Sequence, residues 1–284
     1  MAVDNFIPTI WTARLLANLN NVHVYTQAGV INRDYDGEIQ QAGDTVKINS
    51  IGRITISDYV KNVDINAPEQ VNDASQILTV NQKKYFNFQV DDVDQAQTRP
   101  QVIDAAMLEA AWGLSDASDQ FVAGMYTDIA ANNWIGSDAS PVSVTVASTA
   151  YEYLVDLGTR LTENNVPTVG RWAIIPPWYY GLLLKDDRFV KFGTLAQDAV
   201  LRNGIVGEAA GFQILQSNNV PNVTGTKYKI MAGHPIAWSY VEQILKMEAY
   251  RPEKRFGDAM KGLMVYGAKV TRPTALAVLD ANKT

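Results

Sequence analysis

The sequence contains no cysteine. Disulfide staples, thiolate nucleophiles and cysteine-ligated zinc are therefore excluded. Histidine is nearly absent as well: His23 and His234 are the only two, in distant segments. A histidine-rich metal site cannot form, and a Ser-His-Asp arrangement would depend on one or the other. No stretch approaches the ~18 apolar residues of a membrane span. The N-terminal segment has no apolar run with a basic flank, so no secretory leader is read and a cytoplasm-like compartment is expected. Without a leader, the sequon Asn222-Val223-Thr224 is a chance match. Basic residues are outnumbered, 24 Lys and Arg against 30 Asp and Glu, for a formal charge of −6 and a pI near 5.0. That balance argues against a sequence-reading nucleic-acid binder or a protein held on an anionic membrane. What remains is 284 residues with 47% hydrophobic content, enough for one large core or two smaller ones.

The chain is organised around residues 82 to 130. Phe86, Phe88 and Val90 alternate with Tyr85, Asn87 and Gln89, the period of a half-buried strand. An acidic turn with Asp91, Asp92 and Asp94 follows, then Thr98 as a helix cap with Pro100 near the first turn. Ile103, Met107, Ala110, Leu114, Ala117, Phe121 and Met125 then recur at spacings of four and three. The spacing predicts an amphipathic helix of roughly thirty residues, about 45 Å long. A helix of that length reads as a mechanical spine or as a long core helix.

Residues 1 to 35 read as an arm. Phe6, Ile7, Ile10, Trp11, Leu15, Leu16 and Leu19 form one face of a short helix, which needs a surface either at home or on a neighbour. From 45 to 57 two alternating runs, Thr45 to Ile51 and Ile54 to Ser57, flank Gly52-Arg53 and predict a hairpin. Ile77 to Val80 reads as the start of the strand that continues through 84 to 90. Beyond residue 148, a helix carries Tyr151, Leu154, Val155, Leu157 and Leu161 and stops at Asn164-Asn165. The strands 171–175, 212–216 and 228–232 alternate with helices, giving an α/β lobe over 149–240. The strand from Gly262 to Val270 and the closing run from Ala275 to Leu279 are expected to return to the spine lobe.

Motifs for chemistry are weak. There is no phosphate loop, and Gly204, Gly207 and Gly211 lack dinucleotide-turn spacing. Gly113-Leu114-Ser115-Asp116-Ala117 approaches a nucleophile elbow but falls inside the long helix, where that serine could not sit on a strained turn. Asp91, Asp92 and Asp94 lack the glycine and distal glutamate of a calcium loop and read as a favourable helix N-terminus. The aromatic strand Lys84 to Phe88 lacks the basic surroundings of an RNA-binding sheet. Trp178, Tyr179 and Tyr180 could stack a sugar, the one support for a carbohydrate-active enzyme with paired carboxylates. No catalytic residue, cofactor or metal site is assigned.

Several segments, in order along the chain, together resemble the major capsid proteins of tailed bacteriophages. They are Phe6-Ile7-Pro8, Gly43-Asp44-Thr45-Val46-Lys47-Ile48, Lys84 to Asp92, Arg188-Phe189, Gly204-Ile205-Val206-Gly207 with Gly211-Phe212, and Val265-Tyr266-Gly267-Ala268. The resemblance implies an α+β Hong Kong 97-type fold. Its expected parts are an N-terminal arm (1–35), an extended loop (36–80), a peripheral domain with the spine helix (81–148), an axial α/β domain (149–240) and C-terminal strands returning to the peripheral domain (241–284). It implies a coat protein that self-assembles through pentamers and hexamers into an icosahedral head. Packaged double-stranded DNA would be enclosed without sequence-specific binding and without a membrane. Such a subunit is made in the host bacterial cytoplasm and ends in the virion. No scaffolding segment precedes the arm, so a separate scaffolding protein and a portal are expected partners. On this resemblance Phe6, Trp11 and Arg14 of the arm and Lys47, Arg53, Tyr59 and Lys61 of the loop are the expected assembly residues. An encapsulin-like nanocompartment shell is the alternative with the same fold.

Overall fold

The computed structural model of the protein describes residues 23–36, 45–51, 56–59, 61–62, 64, 73–91, 102–186, 205–254 and 256–283. Strand β1 (Thr45–Ile51) pairs antiparallel with β2 (Asp73–Thr79), from Thr45 opposite Thr79 to Ile51 opposite Asp73. The described partner of β1 is therefore β2 and not the expected 54–57, of which 54 and 55 lie outside the described residues. Ile56 lies outside any strand and is exposed. The inward side chains of β1, Val46 and Ile48, need apolar company, and Leu78 and Val80 supply it. Two residues separate β2 from β3 (Gln82–Asp91), so the single strand expected from 77 to 90 is two.

Helix α1 (Val102–Ala123) has 22 residues and passes into a 3-10 turn, Gly124–Asp128. At about 33 Å its described α-helical part is shorter than expected, the last turn being wound as a 3-10 helix instead. Its proposed cap at Thr98 lies outside the described residues. Two short strands follow, β4 (Trp134–Ile135) and β5 (Val142–Ser143). Helix α2 (Ala147–Glu163) buries Ala150, Leu154, Leu157 and Leu161, spaced four, three and four. It ends at Asn165, whose φ of 54° lets Val166 N–H reach back to the Leu161 carbonyl. Strand β6 (Trp172–Ile175) is buried throughout, and α3 (Pro177–Leu183) starts on a proline that forfeits no helical bond. Strands β7 (Ile205–Ala209), β8 (Phe212–Gln216), β9 (Asn222–Val223) and β10 (Lys227–Gly233) complete this region. The chain closes with β11 (Trp238–Tyr250), β12 (Gly257–Val270) and β13 (Leu276–Asn282).

These strands form two further sheets. One is mixed and eight-stranded, ordered β4-β13-β10-β6-β8-β7, with β5 on β13 and β9 on β10. The other is a long antiparallel sheet, β11-β12-β3, with β12 central. The terminal strand corrects the expectation for 241–284. While β11 and β12 build the long sheet, β13 pairs with β10 in the mixed one. Its six consecutive buried positions, Leu276 to Ala281, suit an interior strand covered on both faces. There Lys229 of β10 is fully buried in an ion pair with Asp280 and reaches Asp138, while its ammonium lies 5.9 Å from the Tyr126 ring and 5.7 Å from Trp134.

The long sheet has two working faces. Phe86 and Phe88 stand opposite Gly262 and Met260, on the side that meets α1. Phe121 of α1 packs edge-on against Tyr266 at 5.5 Å, and the Tyr266 hydroxyl donates to the Ala117 carbonyl at 3.4 Å. On the opposite face Val241 and Val265 bury the ribbon's base: Val46, Ile48, Leu78 and Val80. Gly267 makes this approach feasible, since a Cβ there would lie 2.5 Å from the Thr79 carbonyl oxygen.

Residues 23–36 are likewise built into the subunit's own body rather than projecting as the end of an arm. Asp119 of α1 accepts backbone N–H bonds from Val24 (2.8 Å), Tyr25 (3.2 Å) and Thr26 (3.1 Å). Asn32 bridges β11 in parallel at Ser239, and Trp238 Nε1 donates to the Val30 carbonyl at 2.8 Å.

Candidate assembly surface

The most exposed large apolar side chains include several in loops and turns. Beyond the last ribbon pair, Ile51 with Asp73, Ile56 is 95% exposed and Tyr59 77%. Lys61 is exposed in the same segment. Within the ribbon, Lys47 and its cross-strand partner Ile77 face outward. Phe256 is 82% exposed in the turn joining β11 to β12, and Val169 is 84% exposed just before β6. Isolated exposed apolar residues are ordinary; Ile56 and Tyr59, three residues apart in one segment, are the candidates for an assembly contact.

An open groove lies on the ribbon side of the long sheet. Past the end of the ribbon's base, Tyr85, Asn87, Lys246, Glu248, Lys261, Gly262 and Leu263 line an open groove of about 390 Å³. Its walls are ordered by polar contacts. Asn87 donates to the Tyr250 hydroxyl at 3.1 Å, and the Lys261 ammonium sits 5.0 Å from the Tyr250 ring. Glu248 pairs with Lys246 (2.7 Å) and Lys261 (2.9 Å), and hydrogen bonds from these two lysines lower its pKa to about 2.

A buried polar cluster ties residues 23–36 to this scaffold. Ser115 Oγ lies 2.8 Å from His23 Nδ1, and His23 Nε2 is 3.5 Å from Glu242 Oε2. Arg33 pairs with Glu242 and with Asp36, and the Tyr240 hydroxyl donates to Glu242 at 2.8 Å. Serine, histidine and an acid are thus connected as in a hydrolase. However, Ser115 is 1% exposed inside a continuous helix, where no substrate carbonyl reaches Oγ, so the cluster is a clasp. Trp178 and Tyr179 give no sugar platform either. Tyr179 is fully buried and donates to the Ala150 carbonyl at 2.7 Å, and Trp178 packs against it and Tyr228.

The clasp makes stability depend on pH. Burial disfavours charge on His23, but Asp119 and Glu242 outweigh it and raise its pKa above the usual 6.5. The stability it contributes is complete below that ordinary value and is lost as pH rises through the raised one. Burial would likewise raise Glu242, but His23, Arg33 and Tyr240 bring it down to about 2. Its contribution is present above 4.5, the ordinary value, and is lost as pH falls toward 2. Asp36 works the other way, since burial raises its pKa despite Arg33. In urea titrations across pH, His23→Gln is expected to flatten the alkaline decline and, because His23 is the main group holding Glu242 down, to weaken the acid limb as well. An unchanged alkaline limb would remove His23 from the linkage.

A family model of phage capsid proteins matches residues 76–279. The chain belongs to the phage capsid protein family. Among solved structures, a protein of Mycobacterium phage Che8 is 28% identical, with 90% of each chain covered and a TM-score of 0.70. The capsid of Ralstonia phage GP4 is 10% identical over 93% of this chain and 90% of its own, also at 0.70. The SrpI encapsulin of Synechococcus elongatus has 12% identity, 85% and 83% coverage and a TM-score of 0.55. No curated protein matches the sequence. The Hong Kong 97-type fold is borne out, and the protein is a structural major capsid protein.

Of the residues expected to carry assembly in this capsid protein, Phe6, Trp11, Arg14 and Arg53 lie outside the described residues. Tyr59 and Lys61 are exposed together beyond the ribbon, whereas Lys47 sits within the ladder, four positions before its last pair. The groove has no signal in the sequence, because β3 meets the β11–β12 pair, through β12, from more than 150 positions away. Phe256 did carry a signal: a lone aromatic after the polar turn Arg251-Pro252-Glu253-Lys254.

Proposed function

We propose that copies of this capsid protein close, through pentamers and hexamers, into an icosahedral head around the packaged double-stranded DNA of a tailed phage. The carrying observation is that one sheet face holds both the ribbon's base and an open groove, while the ribbon's far segment presents Ile56 and Tyr59 to solvent. A projection and a groove on the same body are complementary between copies, and head-to-tail contacts of that kind close into rings when the rotation between neighbours closes. Tyr59 and Lys61, with Lys47 alongside, are the ribbon residues assigned to the neighbour. Each fully buried large apolar side chain adds ~1.5–3 kcal/mol, repeated over every contact of the shell. The role is structural, with no catalytic step. The net charge of −6 suits a wall that confines DNA without gripping it. A separate scaffolding protein and a portal would complete assembly in the host cytoplasm.

Electron microscopy of the overexpressed protein tests this, with megadalton closed particles the expected result. A stable monomer in the presence of the neighbouring gene products would overturn it. The encapsulin likeness supports a second reading, a nanocompartment, which predicts an enzyme inside the purified particles.

A further inference from the structure

The ribbon touches the long sheet at one spot through main chain alone. Gly267 of β12 stands opposite Val241 in the ladder and on the same face as Val265, the two valines under the ribbon's base. A Cβ at Gly267 would lie 2.5 Å from the Thr79 carbonyl oxygen, 3.0 Å from Val80 Cα and 3.1 Å from the Thr79 carbonyl carbon. All three are backbone atoms, where β2 ends and the short link to β3 begins. A side chain can rotate out of such a contact, whereas a backbone held in a ladder must move bodily. At Gly233 and Gly262 the nearest atoms belong instead to side chains, those of Leu276 and Phe86. A second tether lies further along β2. Gln76, on the same side of the ribbon as Leu78, donates from Nε2 to the carbonyl of Thr271, just past β12, at 3.0 Å. Thr79 and Gln76 are about 10 Å apart along the strand. Two such points fix a direction, where one would leave a pivot.

We propose that Gly267 is a positioning residue for the ribbon: together with the bond from Gln76 to Thr271, it seats the Thr79–Val80 backbone so that the free subunit holds the ribbon at one angle. The consequence for assembly rests on the reading above, but the seat itself does not. A ribbon aimed in advance loses less conformational entropy when its far segment meets a neighbour. Any side chain at 267 must lift the root of the ribbon by roughly 1 Å, since carbon atoms pack at about 3.5 Å or more. A larger one lifts it further and breaks the two-point hold. The subunit's core lies elsewhere, so the body should fold while the ribbon ceases to point one way.

The chain has no cysteine, so two spin labels can be placed without background. One goes on Ser75→Cys in the outer part of β2, the other on Glu163→Cys, exposed at the end of α2. Double electron–electron resonance on dilute full-length subunits should give one narrow distance for the parent. Gly267→Ala should shift it by about 1 Å or more, and Gly267→Val should broaden it. Leu279→Ala, which truncates a fully buried side chain of β13, should lower the urea midpoint and leave the distance alone, separating aim from stability. A broad distribution in the parent, or one that both Gly267 variants leave unchanged, overturns the proposal. Should neither variant fold, Gln76→Ala carries the test, because it cuts the second tether and adds nothing to the floor; a distance as narrow as the parent's then overturns the seat. In assembly, Gly267→Ala should raise the protein concentration needed for particles by about tenfold. A displaced ribbon with an unchanged threshold would keep the seat and overturn its bearing on assembly.

Discussion

Subunits in which residues 52–72 are replaced by a two-residue Asn-Gly turn are expected to fold and to form no shells. The excision removes only what lies beyond the ladder, since Ile51 and Asp73 are the last paired residues. An Asn-Gly turn suits a tight hairpin at that point. The ribbon's base stays, with Val46, Ile48, Leu78 and Val80 still buried on Val241 and Val265. The described residues of the excised segment are all exposed, so little stability is lost and the unfolding midpoint should barely move. Assembly should suffer greatly. Losing one or two apolar anchors of ~2 kcal/mol each weakens a contact by more than about tenfold, and a closed shell repeats that loss at every subunit. Sedimentation velocity of the variant should show small species where the parent gives particles. Particles of normal size would place the interface elsewhere, and an unfolded variant would make the segment part of the core.

Trp238→Ala should be among the most damaging single substitutions for the subunit itself. Trp238 and Trp172 are both fully buried and stack with ring centres 5.3 Å apart and planes 7° from parallel. One indole belongs to the long sheet and the other to the mixed sheet, so the stack joins the two. The same indole also holds residues 23–36 through its bond to the Val30 carbonyl. Truncation leaves a cavity and an unpaired buried carbonyl, for about 3–5 kcal/mol. Against a total stability of ~5–15 kcal/mol, that is a large fraction. Trp238→Phe keeps the stack and loses the hydrogen bond, so it should cost markedly less. Urea midpoints that rank alanine and phenylalanine equally would show that the stack carries little.

The elements legible in the sequence were those with a period and a local stop signal. The apolar spacing of α2 and its end at Asn165, the prolines before α3 and the alternation in β3 all act over a few residues. The errors concern partner choice. β1 found β2 rather than 54–57 because the inward residues of a ribbon are selected by the surface beneath it, Val241 and Val265, which local alternation does not encode. β13 is apolar on both faces, so its composition could not say which sheet it would enter. Of the residues expected on the resemblance, Tyr59 and Lys61 are exposed, and their part in assembly rests on the proposal above. The groove and the His23 clasp could not be read from the sequence, because Ser115 meets His23 across 92 positions and Glu242 meets Arg33 across 209.

The central position of β12 has a mechanical consequence. It is bonded on one edge to β11, from Ala259 to Val270, and on the other to β3, from Gly257 to Tyr266. Antiparallel ladder bonds run perpendicular to the strands. Tension along the sheet, such as outward pressure from a tightly filled interior, would therefore load both rows in shear, all at once, instead of peeling them one by one. A lattice knitted from such subunits would resist bursting through the arrangement of its strands.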